Sequence, residues 1–441
     1  MKKNEYSLFT TIAMIVGIVI GSGIFFKSDN ILIATNGSVT LGILIFFIAS
    51  ISIIFGSLTI AELASRTDET GGIIAYAEKY CNKSIACALG WFHTFLYYPT
   101  LIVVVSWVAG IYICLLFNIK STILIEMSIG FIVIIVLFLT NILSKKLGGY
   151  VQNVATIIKL IPLIFIALLG LFFGNPSIEE FTNINNIASF GWITAITPIA
   201  FSFDGWIIAT SISHEIKNPK KNLPRALIFA PLFILAIYIA YFIGISTYVG
   251  PEKVMALGDS HVAYAANKFL GPFGSKIILI LVIISIIGTV NGLILGLIRL
   301  PNALAEKSLF PNSKKFKDIN ENYGISISSA IVSFIICCFW IILHCLTQKL
   351  ELLPNSDISE ISITFNYIGY MILYYEVFKM GLKGEIKGLW KGKLNPIFAS
   401  IGSLTILLGS LNNKLFFVYA LICFLVICLS ILFMSKNKID E

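Results

Sequence analysis

The chain has 441 residues, 57% of them hydrophobic and only 12% charged, with a formal net charge of +8 and a mean hydropathy of +0.92. A water-soluble protein of this size has no use for so much apolar surface, and the positive charge is better explained by loops beside a membrane than by nucleic-acid binding. Apolar runs longer than about 18 residues point to bilayer-crossing helices, and because they are continuous rather than alternating with a period of two, a β-barrel is excluded.

An all-α polytopic membrane protein is expected, one membrane unit with twelve spans at 8–27, 38–63, 86–116, 123–142, 150–173, 190–212, 225–248, 275–299, 327–346, 362–379, 395–410 and 415–434. The first run follows Lys2 and Lys3 but has no small-residue cleavage site after it, so it reads as a retained helix rather than a signal peptide. With the N-terminus placed in the cytoplasm, about three-quarters of the 31 Lys and Arg residues fall on cytoplasmic segments, as the positive-inside rule requires. Both termini then come out cytoplasmic. Between spans two and three, Gly71-Gly72 signals a turn before the amphipathic stretch 73–79. The external loop 249–274 has room for a short helix between Gly250-Pro251 and Gly271-Pro272.

Two spans are poor helices in their middles. Span one contains Gly21-Ser22-Gly23, and Gly costs about 1 kcal/mol per residue against Ala in a helix interior. Span six contains Pro198, Ser202, Asp204 and Gly205. The two breaks are five spans apart. Five is odd, so a second set of spans enters from the opposite side, which is the arrangement of an inverted repeat with two discontinuous helices and a substrate site between them. A half-helix N-terminus offers N–H groups to a carboxylate, and a half-helix C-terminus offers bare carbonyls to an ammonium. Two facing breaks therefore suit an α-amino acid. Glycines also let membrane helices pack closely, but packing does not account for Asp204.

Lys159 lies about 13 Å into span five at 1.5 Å per residue. An ionisable residue at that depth is a functional candidate, although a lysine also snorkels. Its ammonium is suited to the carbonyls opened by the break in span one, in place of a bound sodium ion. Asp204 has three readings: a proton-coupling carboxylate, a ligand for the substrate amine, or an N-cap for the second half of helix six. Phe201, just before the break, either closes over a ligand or simply packs. Most of the eight cysteines sit in or beside apolar runs, none has metal-ligand spacing, and the four histidines show none either. There is no P-loop, His-Glu-x-x-His or Gly-x-Ser-x-Gly motif. No cofactor, metal or enzymatic activity is expected.

At residues 21–25, Gly-Ser-Gly-Ile-Phe resembles the signature of the amino acid–polyamine–organocation superfamily. Residues 201–206 (Phe-Ser-Phe-Asp-Gly-Trp), with Glu215 to Pro219 and Leu223 to Ala226, are similar to the sixth span and following loop of L-type amino acid transporters and their bacterial relatives. Tyr98-Pro99-Thr100, Lys159 to Pro162, and Gly288 to Gly292 add matches in order and at matching spacing.

The resemblance implies a LeuT-like 5+5 inverted repeat: a first five-helix unit over 8–173, a second over 190–379, and two additional helices over 395–434. It implies carboxylate binding at Gly21, Ser22 and Gly23, amine binding by the carbonyls of Val19, Ile20, Phe201 and Ser202, gating by Phe201, and Lys159 in place of sodium. The external loop 117–122 lacks the cysteine through which animal members bind a glycoprotein heavy subunit, so no such subunit is expected. Asp204 stands where animal L-type members have Gly, which puts their preference for large substrates in doubt here.

The expected function is sodium-independent transport of L-amino acids across the inner (cytoplasmic) membrane by alternating access, as an exchanger of small neutral ones such as Ser, Thr or Ala. Two alternatives stay open: a proton-coupled symporter of amino acids or amines, and a membrane amino acid receptor without flux. The expected partners are the lipid bilayer and the small-molecule substrate, with no nucleic acid.

Overall fold

The computed structural model describes residues 6–21, 23–67, 71–143, 158–175, 191–207, 210, 216–320, 323–353, 356–411 and 413–437. Among these residues there is no strand, only two isolated bridges, Tyr6 with Ile216 and Asn320 with Ile325. The first ties the start of the chain to the segment before the seventh expected span, with the Lys217 N–H donating to the Tyr6 carbonyl at 2.9 Å.

Span one is two helices, α1 (Leu8–Val19) and α2 (Gly23–Ala34). The Ser7 side chain caps α1 by accepting the Thr10 N–H. Then follow α3 (Val39–Ala64), the amphipathic α4 (Ile73–Tyr80), and α5 (Lys83–Phe92), which runs through a π-helical turn, His93–Tyr97, into α6 (Tyr98–Phe117). After α7 (Ile123–Leu143) come α8 (Leu160–Phe173) and α9 (Ile196–Phe203), the latter entered by a 3₁₀ turn at Gly191–Ala195. Next are α10 (Pro219–Val249), the short α11 (Pro251–Leu257) and the long α12 (His261–Glu306), interrupted at Gly271, where φ is 72°. The chain finishes with α13 (Ser313–Lys317), α14 (Ile327–Lys349), α15 (Ile358–Leu382), α16 (Asn395–Ser410) and α17 (Phe416–Asn437).

Seven helices among the described residues are long and apolar enough to cross a membrane. Three further apolar helices are short: Leu8–Val19, Leu160–Phe173 and Gly191–Phe203. Two of the short ones belong to the spans expected to be broken. The third begins beside Lys159, and the rest of its expected span, 150–157, lies outside the described residues. The protein is therefore an all-helical, multi-pass membrane protein.

Lipid is as apolar as Leu, so helices here are held by close packing rather than by exclusion from water. α3 lies against α10, α16 and α9; α1 lies against α10, and α2 against α9. The two broken spans thus sit side by side at the centre. Large apolar side chains stay exposed around the outside, including Leu171, Phe339, Phe424 and Leu432, where acyl chains meet them.

Candidate functional site

The break in span one begins where α1 ends. Ile20 turns extended, with ψ of 107°, and its N–H makes the last helical bond to the Val16 carbonyl at 2.8 Å. The next carbonyl, that of Gly17, has lost its partner along the helix. Lys159 takes it: Nζ donates to the Gly17 carbonyl at 2.5 Å and to Thr289 Oγ1 of α12 at 3.0 Å, and Lys159 is fully buried. One side chain thus ties α1 and α12 to the start of α8.

Both glycines of the break are required by close approach. A Cβ on Gly23 would lie 2.6 Å from the Cα of Ser202, and one on Gly21 would lie 2.5 Å from Thr289 Oγ1. The two breaks therefore touch backbone to backbone. Ser22, the middle residue expected to bind carboxylate, lies outside the described residues.

In span six, α9 stops at Phe203. The Asp204 N–H caps it by donating to the Phe201 carbonyl at 3.1 Å, and Gly205 follows with φ of 95°. Asp204 thus stands at the C-terminal end of the first half-helix. Its side chain turns sideways to accept the hydroxyl proton of Tyr97, and its Oδ1 is buried with no hydrogen-bond partner among the described residues. The N-cap reading depends on a helix restart, and most of residues 208–215 lie outside the described residues.

Tyr97 belongs to the π-helical turn, a feature frequent at functional sites. It stacks on His93 at 4.9 Å between ring centroids. His93 Nε2 is 2.9 Å from Asn366 Oδ1, and Asn366 Nδ2 donates to Tyr370 Oη at 2.7 Å. The edge-on Trp206–Tyr370 contact, at 5.5 Å, brings this chain back to the break.

The carbonyls expected to receive a substrate amine are partly engaged. Tyr238 Oη of α10 is 2.8 Å from the Ser202 carbonyl and 3.3 Å from that of Val19, spanning both breaks with one hydroxyl. Phe201 gives its carbonyl to the cap of α9, and the Val19 and Ile20 residues sit buried beside it all. A carbonyl has two lone pairs, so each engaged oxygen retains one for an ammonium.

Above the breaks lies Phe201, buried, with the Lys27 ammonium 5.3 Å from its ring centroid. Lys27 Nζ in turn donates to Asp357 Oδ2 at 2.8 Å and Glu360 Oε1 at 2.6 Å. All three are buried, Lys27 at 1% exposure. In the sequence Lys27 stands at the end of span one, and Asp357, Glu360, Tyr97 and Tyr238 carry no mark of a role. The signal available was two acids three residues apart at the mouth of span ten. Nothing in the sequence tied them to span one.

The matches to known proteins decide the family. The family model described as amino acid permease matches residues 6–439. This chain belongs to the amino acid permease family. With it, the chain falls in the amino acid–polyamine–organocation superfamily. The permease is 32% identical over 415 residues to the serine/threonine exchanger SteT of Bacillus subtilis, covering 92% of the chain and 90% of that relative. It is 28% identical over 301 residues to the b(0,+)-type amino acid transporter 1 of Mus musculus and 26% identical over 308 residues to the cystine/glutamate transporter of Homo sapiens. These matches take in 66% and 68% of the chain and 60% of each of those relatives. The family and these relatives are transporters rather than enzymes. Among the described residues of the permease, no group of three or more His, Cys, Asp or Glu is placed to hold a metal ion.

Proposed function

We propose that the permease is a sodium-independent exchanger of small neutral L-amino acids, with serine and threonine as the first candidates. The observation that carries this is the contact of Lys159 with the Gly17 carbonyl at the break. The positive group that stabilises the opened backbone is part of the protein, so a bound metal ion is not needed there. In this reading the backbone around Gly21 and Gly23 receives the substrate carboxylate. The carbonyls of Val19, Ile20, Phe201 and Ser202 receive the ammonium, and Phe201 closes over both.

The proposed architecture has twelve spans. Residues 8–173 and 190–379 form two inverted five-helix repeats, residues 395–434 add two helices, and both termini are cytoplasmic in the inner membrane. The contact between the breaks at Gly23 and Ser202 supports it. So does the coverage of 90% of a relative named as a serine/threonine exchanger.

Asp204 favours a second reading, proton-coupled uptake, because it is a buried carboxylate with one free oxygen beside the site. Proteoliposome uptake of labelled L-serine separates the two. Exchange expects uptake that requires serine or threonine inside and ignores both sodium and a pH gradient. Uptake into empty vesicles driven by a pH gradient establishes the symporter instead. Saturable binding without counterflow establishes a receptor.

A further inference from the structure

A cavity of about 290 Å³ opens beside the buried Lys27–Asp357–Glu360 cluster, between α2, the start of α9, the N-terminus of α15 and the C-terminus of α16. It lies on the side that the charge bias assigns to the exterior. Its volume is just under the roughly 300 Å³ at which small-molecule pockets begin. The function proposed above does not use it.

Its walls mix polar side chains with a larger apolar share that includes Ile33, Pro198 and Leu353. They include Asn30, Thr197, Glu360, Asn413 and Lys414, with Ala34 as a small apolar gap. Thr197 is 4% exposed, and its hydroxyl oxygen has no hydrogen-bond partner among the described residues. Such a group is costly to bury unpaired, and here it leaves a hydroxyl available to a polar occupant of the cavity.

The charges point the same way. One ammonium, Lys27, is set against two carboxylates, Asp357 and Glu360. Glu360 forms part of the cavity wall, where Ser356 Oγ donates to its Oε2 at 2.6 Å. Two carboxylates against one cation leave a formal negative charge in excess, and a second ammonium in the cavity would offset it. Lys414 lies exposed in the same wall and offers the opposite charge.

We propose that this cavity is a second binding site for a small zwitterion of the amino acid class, with its ammonium toward Glu360 and its carboxylate toward Lys414. Its occupant would share Glu360 with Lys27. Binding there would therefore change how firmly Lys27 holds the cover over Phe201, and external amino acid would regulate opening of the central site. The proposal rests on the amino acid reading of that central site.

The test is equilibrium binding of tritiated L-serine to the purified permease in lipid nanodiscs. Two classes of site are expected. Ala34→Phe, which fills the cavity, should remove one class and leave the other. Lys414→Gln, an exposed change that spares the fold, should weaken the same class roughly two- to fivefold, the scale of one exposed ion pair. A single class that neither variant alters overturns the second site and leaves the central reading standing. Two classes that neither variant alters place the second site elsewhere and overturn this one. The absence of any serine binding overturns both.

Discussion

The two helix breaks touch, yet they are built differently. The first carries no charge of its own: Ile20, Gly21 and Gly23 present no polar side chain, and the charge that steadies them, Lys159, is borrowed from the start of α8. The second brings its own carboxyl, Asp204, held by the hydroxyl of Tyr97, which stacks on His93 and through it reaches Asn366 and Tyr370. Backbone groups can recognise only what all amino acids share, whereas a carboxylate beside the breaks can discriminate. The difference predicts that damage to the first break lowers transport of every substrate alike, and damage to the second reorders them.

The largest effect is expected from Gly23→Ala. Its methyl group would meet the Ser202 backbone at 2.6 Å, and backbone cannot swing aside as a side chain can. Overpacking of this kind costs about 1–3 kcal/mol. Transport of all substrates should be nearly abolished, with a lower unfolding temperature in detergent; full activity would mean the breaks are not in contact during the cycle.

Lys159→Ala comes next. It orphans the Gly17 carbonyl, a penalty of about 1–3 kcal/mol. Exchange should fall roughly ten- to hundredfold while the protein still elutes as a folded monodisperse species. Near-normal counterflow in this variant removes Lys159 from the mechanism.

Asp204→Asn should sharpen the contrast. It keeps the Tyr97 hydrogen bond but removes the charge, so the ranking of competitors against labelled serine should shift by roughly tenfold for those that use the carboxylate. A uniform loss across the panel would make Asp204 a bracing residue like Lys159.

The smallest effect is expected from Phe201→Ala. Losing the ring beneath Lys27 should raise the apparent KM roughly two- to fivefold. An unchanged KM returns Phe201 to ordinary packing.

The breaks are legible in the sequence because they are local. Gly and Asp within an apolar run weaken a helix wherever they sit, and the helices do stop at Val19 and Phe203. The amphipathic 73–79 stretch and the short helix after Gly250-Pro251 are local as well, and both are present as α4 and α11. The helix ends were harder to place. Span one overran its expected end at 27 because its second half continues to Ala34.

Tyr238 was not legible. One tyrosine among many in an apolar helix carries no mark of the two carbonyls it reaches. Nor was Lys27, a cation at the end of an expected span whose partners lie 330 and 333 residues away.

The sequence by itself determined that this is a membrane protein, which two spans are weak, and which buried lysine has no local partner, because composition and short-range propensity set those properties. Only the tertiary structure decided what the weak points touch. Gly23 against Ser202, Lys159 on Gly17, Asp204 under Tyr97, and Lys27 between Asp357 and Glu360 each join residues far apart in the chain. In a bilayer, where no water waits to satisfy an opened backbone or a buried charge, such long-range partners are what make those residues tolerable at all.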